Sequence, residues 1–277
     1  METASIALHP IIKIKNEEFL PQEDLLAVEE PLQIQLQYNS GAETVTKNIA
    51  VTMRTPGNDE ELAAGFLYTE GIISTHDQID RIQQNSSEPN NVLISLKEGS
   101  KPYLQKSERN FYTTSSCGVC GKTSIEAVKT VCAFNETVHF TVCTATLYAL
   151  PDELVKQQLL FESTGGLHAA TLFTVDGSFQ FLKEDVGRHN ALDKLIGSCL
   201  LQGQLPLSNN ILLLSGRASF ELVQKAAMAG IRTIAAIGAP STLAVQLAIE
   251  NNITLVGFLR HNSMNIYCGD QRIKQTK

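Results

Sequence analysis

Apolar and polar positions follow two different periods along this chain. Leu32, Ile34, Leu36 and Tyr38 alternate with polar residues, the two-residue repeat of a half-buried strand, and Asn39-Ser40-Gly41 follows as a turn. Thr44 to Arg54 is rich in β-branched residues, so the two runs predict a hairpin. Asn58 can cap a helix with Glu61 three residues on; Leu62, Phe66 and Leu67 supply its apolar face and Gly71 its stop. The polar stretch 85–91 reads as a turn and Val92 to Leu96 as another strand, while residues 1–30, acidic towards their end, read as an arm or edge strand. The first third is therefore a small α+β unit.

From about residue 140 the pattern changes. Phe140 to Cys143 predicts a strand and Leu154 to Phe161 a helix. Ala169 to Val175 and Phe179 to Leu182 predict a strand pair turning at Asp176-Gly177. Asn210 to Leu214 is a short apolar run, the signature of a strand buried on both faces. A helix from about Ser219 to Ala229 is stopped by Gly230, and Ile231 to Ile237 is a strand. Ser241 caps a helix to about Glu250, stopped by Asn251-Asn252, and Ile253 to Phe258 is the next strand. This β-α-β-α-β order favours parallel pairing with right-handed crossovers.

Length and charge narrow the function classes. At 277 residues the chain suggests one large or two unequal domains, here 1–112 and 113–277. Lys plus Arg is 22 and Asp plus Glu 29, so 22 − 29 gives a net charge of −7. That balance argues against a surface built for nucleic acid or anionic lipid, yet leaves room for a small basic pocket. No apolar run approaches the roughly 18 residues of a membrane span, and the first residues do not read as a signal peptide. A cytoplasmic protein with reduced thiols is expected, and a two-fold dimer is the default assembly.

The sharpest chemical feature is TTSSCGVCGK, residues 113–122. Cys117 and Cys120 are flanked by glycine and small polar residues. Thr123 and Glu126 form a capping box just after them, so the pair precedes a helix N-terminus that favours a thiolate. A structural zinc site needs four ligands, and the chain has neither a second C-x-x-C nor H-x₃₋₅-H, so no metal is expected. Spacing alone leaves a thiol–disulfide motif and a persulfide carrier equally open. Core packing is the expectation for Cys132, Cys143, Cys199 and Cys268.

Three loops offer ligand groups. His168 follows a glycine turn into a strand. Glu184 to Lys194 is a strand-to-helix junction in which Glu184, Asp185 and Asp193 suit capping and surface pairing, and Arg188, His189 and Asn190 suit a ligand. Ser215-Gly216-Arg217 follows a predicted parallel strand, the edge at which open α/β sheets collect ligands. Arg260, His261, Asn262 and Ser263 would emerge at the same edge. The H-x-E and P-C-x-x-C pattern of zinc nucleobase deaminases is not met.

TTSSCGVCGK, TGGLHAA, EDVGRHNALDK, SGRASFELVQKAAMAG and LVGFLRHNSMNIY, in that order, resemble the FdhD/NarQ family of formate dehydrogenase accessory sulfurtransferases, from about residue 30 to the C-terminus. The resemblance implies a cytidine-deaminase-like three-layer α/β domain without the zinc chemistry, beside the smaller N-terminal α+β domain. It implies sulfur taken from a cysteine desulfurase and passed to the molybdenum cofactor, bis(molybdopterin guanine dinucleotide), before insertion into formate dehydrogenase. Cys117 falls on the family's persulfide carrier and Cys120 on its second cysteine. Phe258, Leu259, Arg260, His261, Asn262 and Ser263 fall on the cofactor-binding segment, where many members have glycine in place of His261. A very anionic cofactor needs local donors: Arg188, Arg217, Arg260 and His261 are the candidates, with the backbone amides at 215–219, Ser215 and Gly216 among them, and His168 and His189 as donors or proton carriers. The alternatives are a cofactor-binding chaperone and a C-x-x-C oxidoreductase.

Overall fold

The computed structural model describes residues 5–104 and 140–275. Both cysteines of the C-x-x-C pair, Cys132 and the expected domain boundary near residue 112 lie outside the described residues. Two strands, β1 (Ile6–Lys15) and β2 (Glu18–Ala27), form an antiparallel hairpin by themselves, where the sequence suggested an arm. Asn16 and Glu17 turn it with positive φ, the geometry that lets two residues join twisted strands. Ile12, Ile14 and Phe19 near that turn are exposed.

The expected hairpin is β3 (Glu30–Ser40) with β4 (Glu43–Arg54), and Leu32, Ile34 and Leu36 are fully buried on its inner face. A further strand, β5 (Ile79–Gln84), was not evident from the pattern because only Ile79 and Ile82 are apolar; it pairs with β6 (Asn91–Leu96). The four-stranded order is β4-β3-β6-β5. Helix α1 (Asp59–Thr69) covers the sheet, but not through the expected capping box. Asn58 is left-handed (φ 57°) and its side chain caps nothing. Asp59 in the first turn is instead gripped by Arg54, whose Nε and Nη2 each lie 2.9 Å from a carboxylate oxygen. The pair is buried, so its geometry orients the start of α1.

In the second half, β7 (Val142–Cys143) is only two residues of the expected 140–143 strand. The helix expected over 154–161 is two helices, α2 (Thr144–Gln157) and α3 (Leu159–Thr164), broken at Gln158. The Glu184 carboxylate causes the break to persist: it accepts from the Leu160 and Phe161 amides at 3.2 and 2.9 Å, capping α3 from a neighbouring strand. Strands β8 (His168–Thr174), β9 (Phe179–Asp185), β10 (Asn210–Leu214), β11 (Thr233–Ala236), β12 (Thr254–Gly257) and β13 (Asn265–Cys268) make a sheet of order β13-β12-β11-β10-β8-β9. As the sequence predicts, β10, β11 and β12 are parallel. Ile211 and Leu213 pack against α2, while Leu212 and Leu214 face α4 (Arg188–Leu201), α5 (Phe220–Met228) and α6 (Thr242–Glu250). Both faces of β10 are thus covered, which is why its sequence is apolar throughout. Ser241 caps α6 as expected, its hydroxyl accepting from the Ala244 amide. A short β14 (Ile273–Lys274) pairs with β7.

The two sheets meet where α1 crosses α4. A Cβ at Gly65 would run into the Asp193 carbonyl, and one at Gly197 into the Glu61 carbonyl. Only glycine at both positions lets the helix backbones touch. Around this crossing one continuous apolar core joins residues of both sheets, from Leu32 to Leu255.

Candidate active site

The strand directions explain why distant loops share one edge. Strands β10 to β12 end there; β8 runs antiparallel to β10, so it begins there; β9 runs back again, so it ends there. His168, the 185–188 turn, Ser215-Gly216-Arg217, residues 238–241 and 258–263 therefore converge. Main-chain bonds lock the convergence. Ser215 N donates to the Ala169 carbonyl and Ala169 N to Ser215 Oγ (3.1 and 2.8 Å). Phe258 and Leu259 donate to Gly238 and Ala236 carbonyls, both at 3.1 Å. Phe258 has φ 52°, a conformation that costs a bulky residue about 1 kcal/mol or more and that turns the chain sharply off β12.

A pocket of about 530 Å³ opens at this edge. One wall is the α2–α3 elbow, with Leu154, Val155, Gln158 and Phe161; the other is Leu259, Arg260 and His261; His168 and Ser215 lie between. The elbow wall is apolar and suits a flat ring system, while the opposite wall supplies donors. Arg260 is braced by its own Nη1, which donates to the Ile237 and Leu259 carbonyls at 2.8 and 2.7 Å. His261 reaches across the mouth, its Nδ1 3.1 Å from Asp152 Oδ2 on α2. His261, singled out from the sequence, lines this pocket; its acidic partner, on a helix over 100 residues earlier, carried no local signal.

Behind the pocket lies a basic cluster. His168 is held below the usual histidine range, first by burial and then by the positive charges of Arg188, His189 and Arg217; Asp185 opposes the shift. The ring rests against Gly216, where a Cβ would stand 3.3 Å from Nδ1. His168 thus sits among positively charged side chains, a setting whose chemistry suits an anion. Arg188 Nε is sealed from solvent and has no hydrogen-bond partner among the described residues. His189 Nε2 lies 3.4 Å from Ser219 Oγ and 3.8 Å from Glu221 Oε2. That contact, with the Ser219 hydroxyl, holds the Glu221 carboxyl down to about 2.

Of the residues singled out by sequence, His168, Ser215, Leu259, Arg260 and His261 line the pocket, and Arg188, His189, Gly216 and Arg217 surround His168. Phe258, Asn262 and Ser263 are exposed on the turn and do not line it. Asp185 and Asp193, suited by sequence to capping and surface pairing, are buried. Asp185 pairs with Lys194 at 2.7 Å and Asp193 with Lys225 at 2.8 Å. Asn190 points away from the pocket, into the junction with β4. Cys199 is buried, and burial pushes its thiol up to about 11; Cys268 is half-buried. Cys143, expected in the core, is exposed, because β7 ends there and α2 begins. Among the described residues no three His, Cys, Asp or Glu side chains could hold a metal ion, and no helix is long and apolar enough to cross a membrane.

Comparison with known proteins fits this geometry. The FdhD/NarQ family model matches residues 27–274. A protein of Mycolicibacterium paratuberculosis named "Sulfur carrier protein FdhD" is 52% identical over 259 residues, covering 90% of this chain and 92% of its own. One of the same name from Streptomyces avermitilis is 47% identical over 272 residues, covering 95% and 94%. A crystal structure from Desulfotalea psychrophila, described as that of a formate dehydrogenase accessory protein, superposes with a TM-score of 0.73 over 97% of this chain and 99% of that one, at 24% identity, and so shares the fold. The match spans the small sheet, the α1–α4 crossing and every loop of the pocket: the chain belongs to the FdhD/NarQ family.

Proposed function

We propose that this protein carries sulfur from a cysteine desulfurase to the molybdenum cofactor, bound as bis(molybdopterin guanine dinucleotide), for formate dehydrogenase. The observation that carries the reading is the pocket between the α2–α3 elbow and Leu259-Arg260-His261, backed by the His168–Arg188–Arg217 cluster. The donor set fits such a substrate: a largely apolar wall for a flat heterocycle, and positively charged side chains for its phosphates. The relatives' name points the same way. The α2, sheet and α4–α6 layers are read as a deaminase-like scaffold whose strand-end edge serves cofactor binding, with no resident metal.

In this reading the Cys117 thiolate attacks the outer sulfur of the desulfurase persulfide. A bond forms between Cys117 Sγ and that sulfur, and the desulfurase cysteine leaves as thiolate. Attack of the Cys120 thiolate on Cys117 Sγ then closes a disulfide and frees the carried sulfur as hydrosulfide at the cofactor, the thiol pair supplying both electrons. The chain acts in the cytoplasm, with a two-fold dimer as its assembly. The test is intact-mass analysis after incubation with a cysteine desulfurase and cysteine, paired with activation of formate dehydrogenase by Cys117→Ala. One added sulfur on the 117–120 peptide, lost in Cys117→Ala together with activation, is the expected result. A variant that still activates its client marks a chaperone, and a readily reversible disulfide with no retained sulfur marks an oxidoreductase; either overturns the reading.

A further inference from the structure

The first turn of α4 carries Arg188 and His189 to the site. Its N-cap is Gly187, which has no side chain to cap with. The work falls to Asp185 and Asn190 on either side of it. Asn190 Nδ2 donates to the Met53 carbonyl at 2.7 Å and to Asp185 Oδ1 at 3.0 Å. Its Oδ1 accepts from Thr52 Oγ1 at 3.1 Å. Asp185 Oδ1 also takes the Gly187 amide at 2.8 Å, so one carboxylate oxygen ties the cap to Asn190. The other oxygen accepts from the Thr55 amide and pairs with Lys194, whose ammonium donates to the Thr55 carbonyl at 2.8 Å. Gly187 is needed in this knot, because a Cβ would stand 3.0 Å from Asn190 Nδ2.

We propose that Asn190, anchored by Thr52 of the small sheet 138 positions earlier in the sequence, is a positioning residue that fixes Arg188 at the basic site. The inference rests on the reading of that site as the anion end of the cofactor pocket. Thr52 does not line the pocket. Its hydroxyl acts on the site only through the Asn190 amide. If that amide turns, the first turn of α4 is free to rotate and the Arg188 fork loses its aim. Outer partners of this kind affect affinity without touching the ligand.

Guanosine diphosphate, the nucleotide half of the proposed substrate, is the probe, with its affinity read by titration calorimetry. Thr52→Val keeps shape and removes the donor; Thr52→Ser restores it. Arg188→Ala is expected to weaken binding about tenfold, and Thr52→Val about five- to tenfold, the low end for loss of an outer partner. Thr52→Ser should bind within about twofold of the parent, and Thr52→Val with Arg188→Ala should be no weaker than Arg188→Ala alone. Asn190→Ala is expected to match Thr52→Val or exceed it, but it opens the junction and is read only if it folds. Full affinity in Thr52→Val with Arg188→Ala weakened overturns this proposal alone, as do losses that simply add. Full affinity in Arg188→Ala overturns the anion-site reading and this proposal together.

Discussion

Two sets of polar side chains lie on either side of the first turns of α4, and they differ in one respect. On the inner side, Asp185, Asn190, Asp193, Lys194 and Lys225 are buried and fully engaged. Lys225 alone reaches Thr69, Glu70 and both oxygens of Asp193; burial works against its ammonium, but Asp193 and Glu70 outweigh it and hold it charged. On the outer side, Arg188 Nε is buried with no hydrogen-bond partner among the described residues, and His168 is held below the usual histidine range by burial first and then by surrounding positive charge. Satisfied polar groups specify how two units fit together, whereas unsatisfied ones are a cost that a ligand can relieve. The stretch Asp185 to Lys194 contributes to both sets, joined by Lys225 on the inner side and His168 on the outer.

The largest break should come on the inner side. Lys194→Met leaves Asp185 buried without its cation and is expected to destabilise the protein by about 3–5 kcal/mol in denaturant unfolding. Adding Asp185→Asn should recover part of that loss, and a Lys194→Met variant of parental stability would show that the pair is not holding the junction. Next is Gly65→Ala, whose new methyl meets the Asp193 carbonyl. Prying α1 from α4 should cost about 1–3 kcal/mol by the same assay, with the far-ultraviolet spectrum unchanged.

The outer side should respond in the opposite sense. Arg188→Ala is expected to leave stability within about 0.5 kcal/mol of the parent, or to raise it, while guanosine diphosphate affinity falls about tenfold. A loss of stability without a loss of affinity would move Arg188 to the inner set. The smallest effect concerns protons. Because His168 lies below the usual histidine range when the site is free, an anion bound beside it favours the imidazolium and raises that value. Binding then takes up a proton, so affinity should rise a few-fold as pH falls from about 7.5 towards 6. His189 and Glu221 remain in a His168→Gln variant, so the difference between the two pH profiles isolates His168. Equal slopes would remove His168 from the anion site.

Much of this was legible from local pattern. The parallel strands β10 to β12 and the cap at Ser241 follow from short-range rules of period and capping, which need no knowledge of the rest of the chain. The errors cluster where a group outside the local pattern overrides such a rule. Asn58 should cap α1 by its own chemistry, but the Arg54–Asp59 grip sets the helix start instead. Glu184 breaks the 154–161 helix from another strand. Asn190 looks like a ligand beside Arg188 and His189, yet its partners are Thr52 and Met53.

By itself the sequence determined the strand and helix types of the second half, the basic and glycine-bearing loops at their ends, and the family, because each is written in neighbouring residues. Only the tertiary structure decided which polar side chains pair within the protein and which face the pocket. That division depends on partners more than 100 residues apart, such as Thr52 with Asn190 and Asp152 with His261, whose meeting is set by the packing of one sheet on another and leaves no trace in local order.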